Sequence, residues 1–157
     1  MTTTTTTATA TNRVIINTAE EINRRIRRET EARVRALAAD PAGLEQRLQE
    51  LEEEWDIERV LETNASALAF AGLALGATVN RKWLALPALV TAFLFQHAVQ
   101  GWCPPVPILR RFGVRTAGEI EDERTALKAL RGDFATLVPD DADPAARAER
   151  ALQAVRR

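Results

Sequence analysis

The chain has 157 residues, 21 Lys/Arg against 22 Asp/Glu and a mean hydropathy of −0.19, averages that hide an apolar middle between two charged ends. Residues 1–62 carry 9 basic and 13 acidic side chains and residues 110–157 carry 10 and 9, so neither end has the basic excess of a nucleic-acid footprint. One cysteine and one histidine exclude an internal disulfide, a cysteine-based metal site and a His-rich metal or proton-relay site.

In chain order, Met1–Asn12 is a threonine-rich leader, expected to be disordered and lacking the features of a cleavable signal peptide. The first helix is expected from Thr18, where Thr18 and Glu21 have the spacing of a capping box. Ile22, Ile26, Thr30, Val34 and Leu37 then fall on one face. Arg24, Arg25, Arg27 and Arg28 crowd that face, which suits an anionic membrane surface or a solvated helix side, and Glu29 and Glu31 tilt the balance to the second. Asp40-Pro41 is expected to end this helix and cap another, with Leu44, Leu48, Leu51 and Trp55 as a short seam. Residues 13–55 thus read as a cytoplasmic, antiparallel helical pair.

The next stretch dominates the chain. Thr63–Asn80 and Trp83–Leu109 carry no charged side chain and are separated only by Arg81-Lys82. Runs of about 18 or more such residues are membrane-span candidates, and residues 56–103 read as a two-helix transmembrane hairpin opened by an Asp56 cap. Trp55, Trp83 and Trp102 bracket the two runs as interface anchors. Gly72 and Gly76 form a G-x-x-x-G pair, expected in a tight helix contact within the hairpin or between two copies. Asn64, Ser66, Gln96, His97 and Gln100 are expected to meet as one interhelical polar cluster, because they lie at similar distances from the Arg81 turn. Gly101-Trp102-Cys103-Pro104-Pro105 stops the second span and imposes an extended path. Residues 104–134 hold a post-membrane segment and an amphipathic helix, opened by a Thr116–Glu119 capping box, with Ile120, Leu127 and Leu130 inward and Gly132 as its stop. Residues 135–157 read as an acidic loop and a short helix.

Several residues carry a family likeness: Ile57-Glu58-Arg59-Val60-Leu61, Gly76-x-Thr78-Val79-Asn80, Leu84 and Leu86, Gly101-x-Cys103, then Leu109, Gly113 and Thr116. Over roughly residues 56–116 the chain resembles the YgaP-type transmembrane domain, a two-helix inner-membrane unit found alone or fused to a rhodanese domain. The resemblance implies a bacterial inner-membrane protein, often dimeric, with both termini cytoplasmic. No sulfurtransferase cysteine loop is present, so that activity does not carry over.

Chemistry finds little footing in the pattern. Cys103 follows a helix C-terminus, whose partial negative charge disfavours a thiolate. His97 reads as a neutral interhelical partner near the end of a span, ahead of a proton carrier. No phosphate loop, nucleophile elbow or metal-binding helix motif occurs, and catalytic, cofactor and metal residues are all predicted to be none. The sequence therefore predicts an all-α, multi-pass inner-membrane protein of structural or interaction type. Its expected partners are the lipid bilayer and a second copy of the chain, with no nucleic acid. The rivals are a soluble oligomeric helical bundle and a small transporter or channel subunit.

Overall fold

The computed structural model describes residues 10–134, and every regular element among them is helical: α1 (Ala10–Ile16), α2 (Glu20–Leu37), α3 (Pro41–Glu53), α4 (Ile57–Thr78), a 3-10 turn (Arg81–Leu84), α5 (Ala85–Gln100), α6 (Val106–Arg111) and α7 (Ala117–Arg131). Local chemistry explains most of the boundaries. Asp40 accepts from the Gly43 N–H at 3.0 Å with Pro41 in the first turn, and Asp56 accepts from the Arg59 N–H at 2.8 Å. Thr116 and Glu119 form the reciprocal box, at 2.8 Å and 3.3 Å. Gly132, at φ 90°, ends α7.

The chain divides into two compact units. The first comprises residues 10–28 with Trp55–Ile120. Its apolar centre is Val14, Ile57, Leu61, Cys103 and Val106, with Leu109 and Val114 packed against it. Helix α1 closes the end of α5: Arg13 donates to the Val99 carbonyl at 3.2 Å and Asn17 to the Gln100 carbonyl at 3.0 Å. The last carbonyls of a helix have no partner of their own, and a guanidinium there also meets the negative end of the helix dipole. Gly101 makes this approach possible. It sits at φ 71°, and a Cβ there would collide with the Arg13 Cβ and stand 2.9 Å from the Arg13 carbonyl carbon. Gly113 has a similar φ of 86° but no atom within 4 Å of a Cβ. Gly113→Ala is therefore expected to cost only left-handed strain, about 1–2 kcal/mol, and Gly101→Ala clearly more. Unfolding of the two variants side by side in detergent checks the order.

Arg110 is the polar centre of this unit. It is fully buried. Its Nη1 donates to Glu119 Oε2 at 2.6 Å and to the Val114 carbonyl at 3.2 Å. Its Nη2 donates to Glu119 Oε1 at 2.8 Å and to Asn23 Oδ1 at 2.9 Å. The Asn23 amide in turn donates to the Ile15 and Thr18 carbonyls, so α1, α2, α6 and α7 meet at one guanidinium. Burial alone would raise the Glu119 pKa, but hydrogen bonds from Arg110 and the Thr116 N–H, with the Arg110 charge, outweigh it and hold the carboxyl below its ordinary value. A carboxyl depressed in the fold adds stability above its unfolded pKa, about 4.3 for Glu, and that stability is lost as pH falls through the folded value. Acid unfolding below about pH 4 is expected to be steeper for the native chain than for Glu119→Gln, measured by helical circular dichroism against pH.

The second unit comprises Glu29–Glu54 with residues 121–134. Leu44, Leu48, Leu51 and Leu127 are its buried leucines. Beside them Glu123 is fully buried and held by two guanidinium groups, Arg33 at 3.1 and 3.2 Å and Arg47 at 3.0 and 3.3 Å. Burial works against the Arg47 charge, but its bonds to Glu123 and Glu50 more than restore it, so its pKa is raised. Arg124 donates to the Leu51 carbonyl at 2.7 Å and so covers the end of α3.

Several expectations are corrected. Residues 10–12 belong to α1 instead of a disordered leader. Thr18 does not form a capping box with Glu21: its hydroxyl donates back to the Val14 carbonyl at 2.7 Å, because the end of α1 needs a donor there. Trp55 leaves the leucine seam, since α3 ends at Glu53 and Glu54 turns extended. Pro104 and Pro105 do not impose an extended path but lead directly into α6, where a missing N–H costs nothing. Leu130 faces outward. The units cut across the expected segments 13–55, 56–103 and 104–134, because the start of the chain packs at the base of the hairpin. The expected acidic loop and last helix, 135–157, lie outside the described residues.

Candidate functional site

Helices α4 and α5 form an antiparallel pair whose length comes from two kinds of turn. The 22 residues of α4 rise ~33 Å at about 1.5 Å each. The opposite arm reaches ~32 Å, from 16 residues of α5 and four 3-10 residues at about 2 Å each. Both match a hydrocarbon core of about 30 Å. At the tip, Asn80 accepts from the Lys82 N–H at 2.9 Å and turns the chain. Trp83 lies at the tip, and Trp55 and Trp102 flank the opposite ends of the pair, so the three indoles mark its two extremities.

The surface of this pair is inverted relative to a soluble core. Two segments, Pro41–Thr78 with its apolar part in α4 and Arg81–Gln100, are long and apolar enough to cross a membrane. Only 17% and 11% of their most apolar windows is buried. Phe70 and Phe95 are 75% and 72% exposed, and Leu68, Leu73, Leu89 and Val99 also face outward. The polar side chains along the arms turn inward on their own helices. Asn64 donates to the Val60 carbonyl, Thr78 to Ala74 and Thr91 to Pro87, each at 2.7–2.8 Å and each one turn back.

Gly72 and Gly76 are buried and serve the hairpin itself. A Cβ at Gly72 would stand 2.5 Å from Pro87 Cδ, and one at Gly76 would stand 2.5 Å from Leu84 Cδ2. The contact expected either within the hairpin or between copies is the one within it, and Pro87 is packed against Gly72.

The expected polar cluster is not assembled. His97 pairs with Glu58, its Nε2 lying 2.8 Å from Glu58 Oε2, and not with Asn64 or Ser66. Ser66 is exposed, Gln96 half-buried, and Gln100 contributes its backbone carbonyl to Asn17. The reason is register. The arms meet with Gly72 against Leu86 and Pro87, and the 3-10 turn adds only about 2 Å to the second arm, so the pairing of His97 with the first turn of α4 comes mainly from where the arms pack and from the reach of the Glu58 side chain. A Cβ at Gly72 would lie 3.2 Å from the Leu86 Cβ. Any side chain at Gly72 therefore has to push Leu86 and Pro87 away, and in a Cys103→Ala chain Ser66→Cys with Gln96→Cys is expected to oxidise poorly, scored by the mobility of the reduced and oxidised chains.

At the base of the hairpin an apolar groove of about 450 Å³ runs between the arms, lined by Leu61, Asn64, Leu68, Val90 and Phe93 and floored by Cys103, Pro104, Pro105 and Leu109. Cys103 is buried beyond the end of α5. Burial pushes its thiol pKa up, the Val106 N–H pulls it down and nearby Glu58 pushes it up again, with a net rise. A thiol held protonated is a poor nucleophile. His97 Nδ1 is buried without a hydrogen-bond partner among the described residues. Among the same residues no three His, Cys, Asp or Glu side chains are grouped to hold a metal ion.

The sequence pattern missed Glu58 as the partner of His97, and Arg13, Asn17 and Asn23 as the groups that satisfy helix ends. A carboxylate in the first turn of one span and a lone histidine near the end of the other was the available signal for the first. Comparison with family models, with characterised proteins and with solved structures gives no match for this chain.

Proposed function

We propose that this chain is a multi-pass membrane protein of structural or interaction type, in which α4 and α5 cross the bilayer as a hairpin. One observation carries the reading: the most apolar helix pair is also among the least buried parts of the molecule. In a soluble bundle that pair would be the core, whereas in lipid the exposed face is the apolar one and the hydroxyls bond back to their own helices. The bacterial inner membrane and a dimeric state are what the YgaP-type likeness implies, and they enter as parts of the same proposal. Both termini are assigned to the cytoplasm, because Arg59, Arg110, Arg111 and Arg115 gather near the base and only Arg81 and Lys82 at the tip.

Membrane fractionation with alkaline carbonate extraction tests the reading. The chain is expected in the pellet. A folded helical species in the supernatant would instead mean that a soluble oligomer covers the exposed face. Protease added to intact spheroplasts is expected to leave the charged ends uncut, and their digestion would reverse the orientation. Solute flux in proteoliposomes is expected to be at background, and flux above it would favour the transporter reading.

A further inference from the structure

Helix α6 has two chemically distinct faces. Val106 and Arg110 point inward and are fully buried, and Leu109 packs on the apolar centre of the unit. Pro104, Pro105, Ile108, Arg111 and Phe112 recur at three- and four-residue spacing and are all exposed, Ile108 to 57% and Phe112 to 82%. A short helix that turns isoleucine and phenylalanine outward around one arginine has the pattern of an element lying in a membrane interface. Its height is fixed by packing. Val106 and Cys103 bury against Ile57 and Leu61 in the first turn of α4, where the charged Glu58, Arg59 and Glu62 mark the end of the apolar stretch. Arg25 ties the far end of α6 down, donating to the Arg111 carbonyl at 2.7 Å. The outward face is also continuous with the hairpin surface, since Pro104 and Pro105 floor the groove between α4 and α5.

We propose that α6 and Phe112 form an in-plane anchor that docks on the phospholipid leaflet at the base of the hairpin. Ile108 and Phe112 dip into the acyl boundary and the Arg111 guanidinium reaches lipid phosphates. An apolar side chain with a neighbouring cation satisfies both layers of that boundary at once. The anchor rests on the membrane reading above and adds to it a second, lateral contact with the same leaflet. It sets the tilt at which the hairpin can stand, because α6 is locked to the hairpin base through Val106.

The test uses the full chain in phospholipid vesicles with a nitroxide at single cysteines in a Cys103→Ala background: Ile108→Cys, Phe112→Cys, Phe70→Cys on the span and Ala117→Cys as the exposed aqueous control. Labels at 108, 112 and 70 are expected to collide severalfold more with oxygen, which concentrates in lipid, than with a water-soluble nickel chelate, and the label at 117 the reverse. Lipid character at 70 with aqueous character at 108 and 112 would overturn the anchor and leave the hairpin standing. Aqueous character at 70 as well would overturn both. Protection of 108 and 112 from both reagents would show that protein covers this face, which also overturns the anchor. Should the cysteine background not fold, a photo-crosslinking phenylalanine analogue at position 112 of the otherwise native chain is expected to attach to phospholipid, and attachment to a second chain or to none overturns the proposal.

Discussion

Replacing Arg110 by methionine is expected to destabilise the chain by roughly 3–5 kcal/mol, the range for breaking one side of a buried ion pair. The loss is that large because several groups depend on one guanidinium. Glu119 keeps its bonds to Thr116 but loses the fork that neutralises it, and Asn23 Oδ1 and the Val114 carbonyl lose a donor. For a chain of this size each kcal/mol corresponds to about 2–4 °C in melting temperature, so a drop of ~6–20 °C is expected. Arg110→Lys should fall between native and Arg110→Met, since an ammonium keeps the charge but cannot pair both carboxylate oxygens in the plane of a fork. The double change Arg110→Met with Glu119→Gln should cost less than Arg110→Met alone, because it removes the stranded charge as well. A melting temperature unchanged in Arg110→Met would mean that the pair is dispensable and that the apolar centre alone holds α1, α6 and α7 to the hairpin base.

What the sequence made legible was local. Asp40, Asp56, Thr116 with Glu119 and Gly132 mark helix ends through partners three residues away or less, and each does so in the structure. The two apolar arms were legible for the same reason, being unbroken runs. Thr18 shows where local pattern fails: its spacing to Glu21 was right, but a carbonyl of the preceding helix competed for its hydroxyl and won. That preceding helix was itself invisible. The seven residues Ala10–Ile16 include β-branched Thr, Val and Ile and carry no amphipathic period. They are held by Val14 in the core and by Arg13 and Asn17 on the end of α5. The charged centres were hidden by distance along the chain: Arg110 meets Asn23 across 87 residues, Glu123 meets Arg33 across 90, and His97 meets Glu58 across 39. Arg33 and Glu123 looked like charges on solvated helix faces and Arg110 like one more cation after the prolines, while His97 looked like an interhelical partner without Glu58 being identified, and only tertiary packing selects these pairs.

Removing both Arg33 and Arg47 is expected to cost more than removing Glu123: both changes break the bonds of Glu123 to the two arginines, and the first also removes the Arg47 pairs with Glu50 and Glu54. The asymmetry follows from where the charge is left. In Glu123→Ala, Arg47 retains Glu50 at 3.0 Å and Glu54 at 3.1 Å, and the Arg33 side chain, 39% exposed, can turn to water. A cost near 3 kcal/mol, the low end for a broken buried pair, is expected. In Arg33→Ala with Arg47→Ala the fully buried carboxylate loses two forked cationic partners, and taking cations from a buried charge costs more than exposing a charge to water. About 5 kcal/mol or more is expected there. Adding Glu123→Leu to that double variant should recover stability, since leucine suits the company of Leu44, Leu48, Leu51 and Leu127 in the same unit. Equilibrium unfolding of the four chains followed by helical circular dichroism orders them. If the triple variant is no more stable than the double, the buried carboxylate is not the source of the cost, and lost packing of the arginine stems takes its place.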